Sequence, residues 1–90
     1  MTFDWDDTNI DHIAAHHISP EEAEEALRDP YRIPAPAYRV AGERRRGVLG
    51  STEDGRLLFV VTVRRGAAVR VVTARDATAS ERRRYRERGK

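Results

Sequence analysis

Ninety residues with no cysteine suffice for one domain with a modest core and leave no disulfide or thiol chemistry to invoke. Hydrophobic residues make up 39% and charged residues 36%, which fits a globular, heavily solvated chain and excludes a disordered one. The net charge of +2 conceals a division: residues 1–41 carry nine Asp/Glu against three Arg (net −6), and residues 42–90 carry six against fourteen Lys/Arg (net +8). A basic half that is almost all arginine fits a polyanion, RNA before others. The acidic opening is unlike a secretion signal. The longest apolar run, residues 57–63, falls far short of the roughly 20 residues a membrane helix needs, so a soluble cytoplasmic protein is expected.

In chain order, Phe3 and Trp5 alternate with Asp4 and predict a short opening strand. Ile10, Ile13, Ala14 and His17 recur at helical spacing, predicting a helix over residues 7–17 capped by Asp6 or Asp7. Ser19-Pro20-Glu21-Glu22 is a capping box with proline at the first helical position; the helix it opens turns Ala23, Ala26 and Leu27 inward and stops before Pro30. Pro34 and Pro36 make residues 31–42 an extended loop or an edge strand that cannot pair fully.

From Arg44 the pattern turns to strands. Residues 46–49 form a short one, residues 50–55 a hairpin connection, and residues 57–63, apolar at both parities, a central strand covered on both faces. Arg65-Gly66-Ala67 turns the chain, and residues 69–74 return antiparallel. Thr78-Ala79-Ser80-Glu81 is a second capping box, opening a last helix through Tyr85 toward Arg88, with the final Arg-Gly-Lys fraying. The expected fold is α+β, a single domain over residues 1–90: a small antiparallel sheet in the order β-α-α-β-β-β-α, with the helices on one face.

The arginines carry the chemistry. Arg64 ends the central strand, Arg70 and Arg75 lie on its neighbour, and Arg44, Arg45 and Arg46 enter the sheet, so the pattern predicts one concave cationic surface. Guanidinium matches phosphate oxygens bidentately and can stabilise charge that develops on a scissile phosphate. Glu81 and Tyr85, one turn apart, can face the same sheet edge as a base and as a proton donor or stacking ring. Arg82, Arg83, Arg84, Arg86 and Arg88 surround the last helix and supply phosphate attraction without sequence preference. His12 and His16 stand at i and i+4, but Ile13 occupies the position where a zincin has glutamate, and no third ligand is evident. His16, near the helix end, is the better acid–base candidate, and His17 is read as a partly buried helix end.

Phe3-Asp4-Trp5-Asp6, Asn9 through His16, and Ile18-Ser19-Pro20-Glu21-Glu22-Ala23 resemble the opening of the BrnT toxin family. Glu43-Arg44, Gly55-Arg56-Leu57-Leu58-Phe59-Val60-Val61, Val69-Arg70-Val71-Val72-Thr73-Ala74-Arg75 and Glu81-Arg82-Arg83-Arg84-Tyr85 resemble its second half, in the same order and spacing. The resemblance implies a RelE-like fold and an RNA-cleaving toxin of a type II toxin–antitoxin pair. Such a toxin inhibits translation, needs no metal or other cofactor, and is neutralised by a BrnA-like antitoxin. By position it implies His16, Arg44, Arg64, Arg75, Glu81 and Tyr85 as catalytic candidates; Arg45, Arg46, Arg70, Arg82, Arg83 and Arg86 are expected, from their charge and placement, to bind RNA beside them. Two departures stand out: His17 replaces a glycine that family members usually carry after the histidine, and a lysine often found after the Trp-Asp pair is missing. Two alternatives stay open: a non-catalytic RNA- or antitoxin-binding module of the same fold, and a gyrase-inhibiting relative.

Overall fold

Each helix starts where the sequence supplies a cap. Asp6 caps α1 (Asp7–Ala14), accepting from the amides of Thr8 and Asn9, while the Asn9 side chain accepts from the Asp6 amide. Ser19 and Glu22 close the box that opens α2 (Pro20–Arg28), and Thr78 and Glu81 the one that opens α3 (Ala79–Arg86). The computed structural model describes residues 1–37 and 43–88. Residues 38–42 of the predicted loop, and Gly89 and Lys90 of the predicted fraying end, lie outside the described residues.

α1 is shorter than its periodicity predicts, because the chain leaves the helix through a Schellman turn: the Ile18 amide donates to the Ile13 carbonyl, and the His17 amide to that of Ala14. Ile13 and Ile18 then meet in the core, and His17, expected to be partly buried, is instead exposed and takes a left-handed φ of 60°.

Five strands form one sheet: β1 (Thr2–Asp4), β2 (Ile33–Ala35), β3 (Arg46–Ser51), β4 (Leu57–Arg65) and β5 (Ala68–Asp76), in the order β1-β5-β4-β3-β2. β2, β3, β4 and β5 pair antiparallel, but β1 runs parallel to β5, so the sheet is mixed where an antiparallel one was expected. The reason is topological. β2 closes one edge, which leaves β1 the free edge of β5, and the parallel direction feeds the chain into α1 while Phe3 packs on the core. Pro34 sits opposite Val48 in the edge strand β2, where a missing amide costs the ladder least.

α1 and α2 cover one face, where Ile13, Ile18, Ala23, Ala26 and Leu27 pack on Leu58, Val60, Val71 and Ala74. Gly50 lets α2 come close: a Cβ there would stand 2.0 Å from the Ala26 carbonyl oxygen. The opposite parity of the sheet is also buried, with Leu49 at 0% and Val61 at 2% exposure, as the two-sided apolar run predicts. α3 packs against β3 and reaches Arg75, whose parity is opposite to that of Ala74, so the three helices do not share one face. A β-bulge at Val72 interrupts β5: Val61 pairs with Thr73, and Thr62 with Val71.

Candidate functional site

The predicted single arginine surface divides into three places. Arg44, Arg46 and Arg64 line a cleft of about 340 Å3 with Thr62, Val63 and Val69, at the end of the sheet where β3 begins and β4 ends. Register brings them together, since Arg46 lies opposite Thr62 and Arg64 opposite Val69. None of the six lining residues is acidic, and among the described residues these three arginines have no carboxylate partner. Arg44 and Arg46 also border a wider groove of about 680 Å3 that runs along β2 past Arg32, Ile33 and Pro34.

Arg45, Arg65 and Arg70 lie apart from that cleft, in a groove of about 290 Å3 shared with Thr8, Asn9 and His12 of α1. Here the positive charge is largely answered. Glu43 lies 2.9 Å from Arg65 and 3.5 Å from Arg45, and Arg70 reaches Asp6 at 3.0 Å and Asp4 at 3.5 Å. Hydrogen bonding by Arg70 holds the Asp6 carboxyl below the usual range. Asn9, 2% exposed, donates to the carbonyls of Asp4 and Val71 and so ties α1 to the sheet edge.

The third place is the opposite end of the sheet. Arg75 makes a two-pronged contact to Glu81 at 2.8 and 3.1 Å, and its guanidinium lies 4.4 Å from the Phe59 ring centroid. That pairing lowers the Glu81 pKa and raises that of Arg75. Glu81 also accepts from the Thr78 amide, so the carboxylate is ionised and fully engaged, which makes it a weak base as placed. The Tyr85 hydroxyl donates to Asp29, and burial followed by this bond pushes the phenol up to about 12. Burial raises Asp29, but the hydrogen bonds from Tyr85, Ser51 and Tyr31 outweigh it and leave the carboxyl below its ordinary value. Tyr85 thus ties α3 to the end of α2.

His16 is exposed where α1 ends, at this same end of the molecule. It acts on Asp76, which is held low first by hydrogen bonds from Arg56 and then, more weakly, by the charges of Arg82 and His16. Asp76 and Val69 are separated by most of β5, roughly 20 Å at about 3.3 Å per residue. His16 and Glu81 therefore do not meet the Arg44–Arg46–Arg64 cleft. Arg82, Arg83 and Arg86 are exposed on α3. Among the described residues no group of three or more His, Cys, Asp or Glu is placed to hold a metal ion, and the His12–His16 pair gains no third ligand.

One residue outside the predicted set organises this end. Arg56, just before β4, grips Asp76 at 2.8 and 3.2 Å, reaches Glu22 at 3.1 Å, and donates to the carbonyls of His17 at 2.9 Å and His16 at 3.4 Å. It caps the C-terminus of α1 and fixes the loop that carries His16. These partners lie 20 to 40 residues away in sequence, so no local pattern could have shown them.

No curated protein sequence matches this chain. A family model described as "Ribonuclease toxin, BrnT, of type II toxin-antitoxin system" matches residues 5–81, which span β2 to β5 but not β1, both capping boxes of α2 and α3, and every arginine of the cleft. Over that length the chain belongs to the BrnT family of ribonuclease toxins of type II toxin–antitoxin systems.

Proposed function

We propose that the chain is a metal-independent endoribonuclease with a RelE-like fold that cuts messenger RNA in the cytoplasm and so inhibits translation. The observation that carries the reading is the cleft of Arg44, Arg46 and Arg64, three guanidiniums with no acid in its lining. A phosphodiester entering it meets three guanidiniums, carried by β3, by β4 and by the residue two before β3. The 2′-hydroxyl attacks the adjacent phosphorus and the bond to the 5′ oxygen breaks, leaving a 2′,3′-cyclic phosphate and a 5′-hydroxyl. The attacking hydroxyl loses its proton to solvent, and the departing oxygen takes one up. The arginines hold the phosphate and stabilise the extra negative charge of the transition state. Thr62 is the one hydroxyl in the lining, and no general base stands there, so positioning and charge stabilisation carry most of the rate.

Arg75, Arg82 and His16, at the other end of the sheet, contact the strand that flanks the reacting nucleotide, with Arg45, Arg70, Arg83 and Arg86 adding charge. Glu81 and Tyr85 hold Arg75 and α3 in place rather than moving protons.

A type II system pairs its toxin with an antitoxin protein. We take that partner to be BrnA-like, with an acidic segment laid over the uncompensated arginines. A substrate carrying 2′-deoxyribose at every position tests the chemistry. It should remain uncut while the matching RNA yields cyclic-phosphate ends. Cleavage of the deoxy substrate, or products ending in 3′-hydroxyl, contradicts the mechanism, and RNA that binds but is never cut leaves a binding module instead.

A further inference from the structure

Asp29, at the end of α2, locks three elements with one carboxylate: it accepts from the Tyr31 amide, the Ser51 amide and the Tyr85 hydroxyl. Its carbonyl accepts from both the amide and the guanidinium of Arg32. The turn that carries Tyr31 is therefore rigid. Arg88, past the end of α3, donates to the Tyr85 carbonyl at 2.6 Å and lies 4.0 Å from the Tyr85 ring centroid and 5.0 Å from that of Tyr31. A cation thus joins the two rings into one stacked unit.

The outer member of that unit is open. Tyr31 is 62% exposed, an unusual state for a large aromatic side chain on a fixed turn. It lines a groove of about 530 Å3 with Pro30, Arg32, Ile33, Arg86 and Arg88, three of whose six residues are cations and none of which is acidic. A flat ring held still, with guanidiniums on its rim, suits a nucleobase stacked on the ring with its phosphates on Arg32 and Arg86. An acidic protein segment would use the arginines but gain nothing specific from an exposed ring face. The ring favours RNA.

We propose that Tyr31, backed by Arg88, is a nucleobase-stacking subsite that holds a base of the RNA away from the arginine cleft and fixes which phosphate enters it. The proposal rests on the RNA-cleaving reading above and adds a second point of attachment to it.

The test uses a 2′-O-methyl RNA oligonucleotide bearing 2-aminopurine, which cannot be cut by 2′-hydroxyl attack, so binding is read without cleavage. The full chain should quench its fluorescence. Tyr31→Ala should abolish the quenching and weaken binding about tenfold, whereas Tyr31→Trp should retain both. Tyr31→Ala should also raise KM for RNA cleavage with little change in kcat. Equal quenching and affinity in Tyr31→Ala overturns the subsite while leaving cleavage at the arginine cleft intact. Loss of antitoxin binding in Tyr31→Ala with RNA binding unchanged overturns it too, and assigns the groove to the protein partner. Tyr31-dependent quenching by a chain that cuts no RNA supports the subsite and defeats the cleavage mechanism instead.

Discussion

His17 holds its backbone at φ 60° while its carbonyl accepts from Arg56, so a side chain with a Cβ occupies a position suited to glycine. Left-handed backbone costs a non-glycine residue about 1 kcal/mol. His17→Gly should therefore raise the thermal midpoint by about 5 °C, measured by circular dichroism, with the Schellman turn intact. Arg56→Ala should act in the opposite sense. It leaves Asp76 and Glu22 without their cation and two helix-end carbonyls without a donor, a loss of about 2 kcal/mol in denaturant unfolding. Lysine, with its single ammonium, should restore only part of it. Tyr85→Phe removes the hydroxyl that Asp29 holds, and should destabilise by about 1–2 kcal/mol. It should change cleavage little, because the phenol is committed to the fold.

At the scale of elements, α2 and β3 meet through Gly50, where an added methyl would run into the Ala26 backbone. Gly50→Ala should cost about 2–3 kcal/mol, with no comparable loss for Gly55→Ala beyond the strain of its positive φ, since nothing lies near that position. These two glycines read alike in the sequence. The helices were legible because their signals are local: Ser19 with Glu22, Thr78 with Glu81, and the prolines at 20 and 30 fall within one turn of the ends they set.

The faces were not legible, because one extra residue in β5 and the parallel docking of β1 depend on partners distant in the chain. For the same reason the sequence named the arginines of the site but not how they divide. Arg44, Arg46 and Arg64 meet through the β3–β4–β5 register, while Arg70 is drawn off by Asp4 and Asp6 from the acidic first half. The acidic segment thus neutralises one basic groove and leaves another bare, which a tally of charge could not foretell.

Across the whole molecule, Asp6, Glu22, Asp29, Asp76 and Glu81 all have lowered pKa values in the folded state. A carboxyl with a depressed folded pKa stabilises above its unfolded value and loses that contribution as the pH falls through its folded one. Unfolding followed from pH 7 downward should show stability flat to about pH 5 and falling steadily below it. Tyr85 works in the other direction. Its folded pKa of about 12 exceeds the ordinary 10.0, so its contribution is complete below pH 10 and lost between there and 12. Tyr85→Phe should flatten that alkaline limb alone.

RNA binding should weaken linearly in log–log against salt, as expected when arginines release counterions from phosphates. The central claim, that the bare arginine cleft does the chemistry, is tested most directly by the RNA-cleavage kinetics of Arg64→Ala beside the wild type, with both thermal midpoints measured. Arg64 is exposed and ion-paired to nothing among the described residues, so the fold should be unaffected. The account predicts kcat/KM lower by about 100-fold and a salt slope for binding smaller by about one. Wild-type cleavage by Arg64→Ala, with Arg44→Ala equally active, would contradict it.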